Sequence, residues 1–262
     1  MFILFKFLRD LIHFRNLYRD YIYLRIMKNV YAMSTARAGS KSVLNKNSML
    51  IKGKPLFLHN LLESMSTPEI LETFISTDMP DAIEGAKTWG YQVIIRPQEL
   101  CQDLSTHTDT IKHGLYEIES RIGNQVDVLV VMLGNTINMD RDIVKRSLEI
   151  LEKESDVDSV VTVIRANHFN PIRAYVDDGT GHLTTYMSQE QILEKTRNNK
   201  LADKNSIGNI YFQNGLWILR RQTVVDSNGI QPFPWFGSNI RYLEQDPRLQ
   251  EIDDEYQIRL LQ

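Results

Sequence analysis

The sequence predicts an α/β fold: a doubly wound, mostly parallel sheet with helices on both faces and an inserted arm. Three observations predict it. Short apolar runs alternate with segments of helical periodicity from residue 28 onward. Residues 126–133 (VDVLVVML) form a nearly continuous apolar run, the pattern of a central strand covered on both faces. Proline and glycine punctuate the alternation where helices open or close, as at Pro55 and Gly90. At 262 residues, 42% of them hydrophobic, the chain is long enough for one such domain with a sizeable core.

The elements follow in order. Residues 29–35 (NVYAMST) read as a buried strand, and residues 36–47 (ARAGSKSVLNKN) as a polar, basic loop. Residues 55–64 (PLFLHNLLES) read as a helix opened by Pro55. A strand at 72–76, a helix at 81–89 stopped by Gly90 and a strand at 92–95 come next. A helix over 108–121, the central strand, a helix over 140–154 and a strand over 159–164 complete the alternation. Residues 165–210 break the rhythm with a turn, DDGTGHL, and a polar stretch, NNKLADKNS; they read as an arm inserted in a domain spanning 28–262. Sheets of this kind bind ligands beyond the carboxyl ends of their strands, so the loops after Thr35, Ile95 and Leu133 are expected to line one site.

Residues 1–27 stand apart. Leu4, Phe7, Leu11, Phe14, Tyr18 and Tyr21 recur at helical spacing, but charges from Lys6 to Arg25 interrupt every apolar run. A membrane-spanning helix and an ordinary signal peptide are therefore excluded. Three readings stay open: a helix docked on its own domain or a partner, a membrane-surface helix, or sequence upstream of a start at Met27.

Charged residues make up 24% of the chain and its net charge is -3, so no global surplus of positive charge points to nucleic acid. Cys101 is the single cysteine. An intrachain disulfide is impossible, zinc-type spacing is absent, and a reducing, cytoplasmic setting is expected.

Chemistry concentrates in the loop after the first strand. Arg37, Gly39, Ser40 and Lys41, followed by Lys46 and Asn47, can surround a triphosphate with positive charge and backbone donors. Neither a Walker A loop nor a G-x-G-x-x-G fingerprint is present, and a basic loop taken alone is more often a solvated turn than a phosphate site.

Further motifs follow the loop in order: Gly53-Lys54-Pro55-Leu56, Ser76-Thr77-Asp78, Arg96-Pro97-Gln98-Glu99-Leu100 with Asp103, a TDTIKHGL helix, Asn214-Gly215-Leu216-Trp217-Ile218 and Glu251-Ile252-Asp253-Asp254-Glu255. In this order and spacing the set resembles the CMP-sugar synthetases, the acylneuraminate and Kdo cytidylyltransferases. The resemblance implies a nucleotide-diphospho-sugar transferase-like fold, dimerisation through the arm, and transfer of CMP from CTP to a small acidic sugar with Mg2+ as cofactor. It also implies that Arg37, Ser40, Lys41, Lys46 and Asn47 hold the triphosphate, with Arg96 and Asp103 near the nucleotide. Glu251 and Asp253 match its metal-ligating carboxylates, and Arg37, Lys41 and Asp253 its catalytic set. Asn135, Thr136, Arg173 and Asn214 fall where the family meets its sugar.

The sequence departs from that pattern after the central strand. Leu133-Gly134-Asn135-Thr136 replaces a glutamine-containing segment, and Asn135 stands where the Kdo type has a metal-binding aspartate. Glutamate at 251 keeps the charge of the usual aspartate with a longer reach. Two alternatives stay open: the same fold serving another nucleotide or a phosphate or phosphonate acceptor, and a non-catalytic nucleotide-binding scaffold. His59 reads as a structural residue, and His107 and His113, six apart, do not make a metal pair on a helix. His168, Asn170 and Arg173, and the loop 235–241 (WFGSNIR), read either as substrate-facing or as ordinary turns.

Overall fold

The structure is a computed structural model, and it describes residues 27, 29–39, 43, 45–102, 105–137, 139–196, 208–245 and 250–261. The expected helix over residues 1–26 and the polar stretch at 198–206 lie outside the described residues.

Strand β1 (Val30–Thr35) leads to a small hairpin, β2 (Leu50–Ile51) and β3 (Lys54–Pro55), and then to α1 (Leu58–Met65). Next come β4 (Thr73–Thr77), α2 (Pro80–Trp89), β5 (Gln92–Ile95), α3 (His107–Ile122), β6 (Val128–Leu133), the short β7 (Thr136–Ile137), α4 (Arg141–Lys153) and β8 (Ser159–Arg165). The inserted segment holds β9 (Tyr175–Asp177), β10 (Leu183–Thr185) and α5 (Gln189–Lys195). The chain returns through β11 (Tyr211–Arg220), α6 (Arg221–Asp226), β12 (Ile240–Glu244), β13 (Gln250–Glu251) and α7 (Glu255–Leu261).

A seven-stranded sheet runs in the order β12-β8-β11-β6-β1-β4-β5. Every neighbouring pair in it is parallel except the two made by β11, which runs against both β6 and β8. The sheet is thus mixed but mostly parallel, as the alternation of elements predicts. Winding proceeds from β1 outward to β4 and β5, then resumes on the other side at β6, so the switch point lies between β1 and β6.

The pleat sends alternate side chains of β6 to opposite faces. Val128, Val130 and Met132 join Ile143, Val144, Leu148 and Leu151 of α4 on one face. Leu129, Val131 and Leu133 join Ile111, Leu115 and Ile118 of α3, with Trp217 and Trp235, on the other. Burial of each such side chain contributes roughly 1.5–3 kcal/mol, which is what holds a two-sided strand at the centre.

Helix starts follow their caps. Thr106 accepts from Asp109 N to open α3, and Asp140 accepts from Asp142 N to open α4. Gly90, at φ 86°, ends α2. One boundary differs from expectation: the helix predicted from Pro55 begins at Leu58, and Pro55 pairs with Leu50 in the hairpin. The reason is local, because Leu56 N donates to Met49 O and Phe57 N to Asn47 O, bonds that fold the segment back on the preceding loop.

Candidate active site

At the carboxyl ends of β1, β5 and β6 the loops expected to converge line one cleft of about 370 Å³. Thr35 at the end of β1 and Arg37 in the loop after it, Arg96 and Leu100 in the loop after β5, and Leu133 at the end of β6 with Asn135 beyond it all line the cleft. Two of these loops meet at Gly134, whose N–H donates to Thr35 O at 2.9 Å. A Cβ at this position would lie 2.6 Å from Ala36 Cβ and 3.0 Å from Thr35 O, so only glycine permits the contact.

The basic wall is built first. Arg37 Nη1 donates to Cys101 O at 2.7 Å, tying the loop after β1 to the turn after β5. Asn47 Nδ2 donates to Arg37 O at 3.0 Å, which orients its amide and leaves Asn47 Oδ1 buried with no protein partner. Thr35 Oγ1 is in the same condition. An orphaned amide oxygen and an orphaned hydroxyl on the wall of a polar cleft are sites for a ligand: the first accepts from its N–H or O–H groups, and the second can also donate to its oxygens. Arg96 is buried; its Nε donates to Ser76 Oγ at 3.2 Å and its Nη2 to Ser76 O at 2.7 Å. Burial lowers its pKa from the ordinary value, with Cys101 and Asp78 opposing and Arg37 assisting. The guanidinium therefore fixes the end of β4 while lining the cleft. Ser40, Lys41 and Asp103 lie outside the described residues.

The acidic wall comes from the far end of the chain. Strand β13 pairs antiparallel with β7, setting Glu251 opposite Thr136. Ile252 N donates to Asn135 O at 2.8 Å and fixes the register. Asn135 Nδ2 then lies 3.0 Å from Asp253 Oδ1 and 3.4 Å from Glu251 Oε1. Lys46 Nζ reaches the same Asp253 oxygen at 2.8 Å, tying the loop after β1 to the C-terminal segment. The Glu251 carboxyl is pushed above its ordinary pKa by burial and then by Asp253, against the Asn135 hydrogen bond and Lys46.

The remaining sugar-side residues are placed differently. Thr136 is buried, its hydroxyl donating to Leu133 O and accepting from Asn60, so it shapes the loop from beneath. Asn214 is buried in β11 at the bulge between Gln213 and Trp217, and Arg173 is exposed at the start of the inserted segment. Neither lines the cleft.

His107 is the residue that the sequence reading passed over. It lines the cleft at the first turn of α3, its ring stacked on Trp235 at 5.9 Å and edge-on to Trp217 at 6.1 Å. Its pKa is lowered by burial, then by Arg96 and Arg37. Considering it only as a metal partner of His113 hid this position; the signal available was its place directly after the Thr106 cap. The loop at 235–241 supplies the support, since buried Trp235 stacks on His107 and is itself packed against buried Phe236.

Among the described residues no cluster of three or more His, Cys, Asp or Glu side chains forms a ready metal cage. Glu251 and Asp253 nevertheless supply two hard carboxylates at one amide, a donor set that suits Mg2+ when phosphate oxygens complete it. No described helix is long and apolar enough to cross a membrane.

A family model described as cytidylyltransferase matches residues 33–228, three quarters of the chain, from the end of β1 through β6 and the loops that follow both. The chain belongs to the cytidylyltransferase family. It is 31% identical over 142 residues to an N-acylneuraminate cytidylyltransferase of Oncorhynchus mykiss, covering 54% of this chain and 32% of that one. An N-acylneuraminate cytidylyltransferase of Escherichia coli O18:K1:H7 is 24% identical over 149 residues, covering 57% and 34%. The matched region thus spans about a third of the length of these relatives. Among solved structures, a CMP:2-keto-3-deoxy-manno-octonic acid synthetase complexed with CTP superposes with a TM-score of 0.61 at 16% identity, covering 88% of this chain and 96% of that one. A 4-diphosphocytidyl-2C-methyl-D-erythritol synthase of Anaerococcus prevotii gives 0.58 at 11% identity, covering 89% and 94%. These two likenesses establish the fold of the cytidylyltransferase chain.

Proposed function

We propose that this protein transfers a CMP unit from CTP to an acidic sugar of the nonulosonic type, releasing pyrophosphate. The observation that carries the reading is the cleft itself: Arg37, Lys46 and Arg96 line it together with the Glu251 carboxylate, and Lys46 is paired with Asp253. In the reaction a sugar hydroxyl attacks the α-phosphorus, and the bond from that phosphorus to the β-phosphate's bridging oxygen breaks. Such a step depends on positioning and on neutralising phosphate charge. Arg37, Lys46 and Asn47, with Ser40 and Lys41, hold the triphosphate, while the start of α3 and His107 close the nucleotide side. Glu251 and Asp253 hold Mg2+, which when bound supplies charge neutralisation at the phosphates.

The names of the relatives support an acylneuraminate-like acceptor, and the solved synthetase carrying CTP supports the nucleotide. The inserted segment pairs two copies of the chain in this reading. Tyr175, Leu183 and Tyr186 are each more than 60% exposed there, an apolar surface unusual for a monomer.

Pyrophosphate release from CTP, UTP, ATP and GTP with Mg2+, against sialic-type acids, Kdo and simple sugar phosphates, tests the proposal. Release with CTP and one acidic sugar is expected. Release with a different nucleotide, or with a sugar phosphate alone, overturns it.

A further inference from the structure

Asp253 Oδ1 takes two donors at once, the Lys46 ammonium at 2.8 Å and the Asn135 amide at 3.0 Å. The two partners of the ion pair are not equally free. The Lys46 side chain is 10% exposed, and that of Asp253 is 60% exposed. Lys46 is held at its backbone as well, its N–H on Val43 O and its carbonyl accepting from Met49 N. The ammonium therefore sits at a fixed position between the loop after β1 and the C-terminal segment. It also lies on the wall where a triphosphate would bring negative charge.

We propose that the Lys46–Asp253 ion pair is a lock that keeps divalent cations off the Glu251–Asp253 carboxylates until a nucleotide arrives. With the lock closed, Lys46 neutralises one of the two negative charges, and an approaching dication meets a fixed positive charge at the same carboxylate oxygen. A triphosphate offers Lys46 oxygens of greater charge, and the exposed Asp253 carboxylate then turns free of it. Asn135 completes the device. An aspartate there would add a third negative charge and draw in a cation unaided, whereas the amide adds none. Lys46 is thus a positioning residue that sets the order of binding, nucleotide before or together with metal. The inference rests on the proposed function for the identity of the anion, and its test is independent of turnover.

The test is binding of Mn2+ alone to nucleotide-free protein, followed by the loss of the free-ion signal in electron paramagnetic resonance. Wild type is expected to bind weakly at this site. Lys46→Met and Lys46→Gln, two neutral replacements that guard against one failing to fold, are expected to bind Mn2+ about tenfold more tightly, the usual size of coupling between two sites. Lys46→Arg keeps the charge and should stay weak. Asp253→Asn added to either neutral variant should remove the gain, which assigns it to this carboxylate. Unchanged Mn2+ affinity in both folded neutral variants overturns the lock, as does a gain that survives Asp253→Asn. Wild type that binds no CTP in equilibrium dialysis overturns the proposed function instead, so the two failures are told apart.

Discussion

The Asn135 amide donates to Asp253 Oδ1 at 3.0 Å, so the residue that follows the central strand touches a carboxylate 118 positions later in the chain. The same amide nitrogen is 3.4 Å from Glu251 Oε1. A neutral donor between two carboxylates relieves their repulsion, and a charged residue in its place would add to it. Asn135→Asp is therefore expected to destabilise the metal-free protein by about 1–2 kcal/mol. In a chain of this size that is roughly a 2–8 °C fall in melting temperature. Added Mg2+ should restore the loss. A metal-free melt equal to wild type would show that the amide does not separate the two charges.

Glu251 gives a pH dependence with a definite sign. Burial and Asp253 raise its pKa above the ordinary value, so the folded protein binds its proton more tightly than the unfolded chain does. Stability from this group is present below the unfolded pKa and falls as pH rises through the folded one. Glu251→Gln is expected to raise the melting temperature of metal-free protein at neutral pH, with the difference from wild type vanishing as pH falls below the usual glutamate range. An equal difference at every pH would contradict the linkage.

Gly134→Ala tests the seam between the two loops. The added Cβ would meet Ala36 Cβ at 2.6 Å and the Thr35 backbone O at 3.0 Å, neither of them the end of a flexible side chain. Overpacking of this kind costs about 1–3 kcal/mol. The loop carrying Arg37 must shift to accommodate it, so CTP affinity should fall together with stability. Urea unfolding and calorimetric titration measure the two; full retention of both would mean that the loops can part freely.

Much of this architecture is legible in the sequence because it is local. The apolar run at 126–133 and the stop at Gly90 each act within a few residues, and the structure places β6 and the end of α2 there; the caps at Thr106 and Asp140, equally local, set helix starts that periodicity alone gives only to within a residue. The convergence of the loops after β1, β5 and β6 follows from the doubly wound order alone. What sequence could not supply is long-range geometry. Nothing near Lys46 indicates that its ammonium meets Asp253, and nothing near Arg96 indicates that burial turns it toward Ser76. Thr136 reads as a sugar contact by position, yet its hydroxyl is taken by Leu133 O and Asn60, the latter on α1. Leu58, rather than Pro55, opens α1 because Met49 O and Asn47 O capture donors that a helix pattern cannot see.

His107 is the sharpest case of a position whose meaning is purely tertiary, and it yields the last expectation. Its ring is stacked on Trp235 and shares the cleft with Arg96 and Arg37, while burial makes the largest contribution to its lowered pKa. The unfolded chain therefore binds this proton more readily, and stability from the neutral ring is lost as pH falls from the ordinary 6.5 through the lower folded value. His107→Phe keeps an aromatic face against Trp235 and removes the titrating nitrogens. Melting temperatures followed from about pH 5 to about pH 8 should decline less steeply on the acid side in the variant than in wild type. CTP affinity should fall in the variant if an imidazole nitrogen serves the ligand. An acid limb unchanged by the substitution would place the responsible proton on another group.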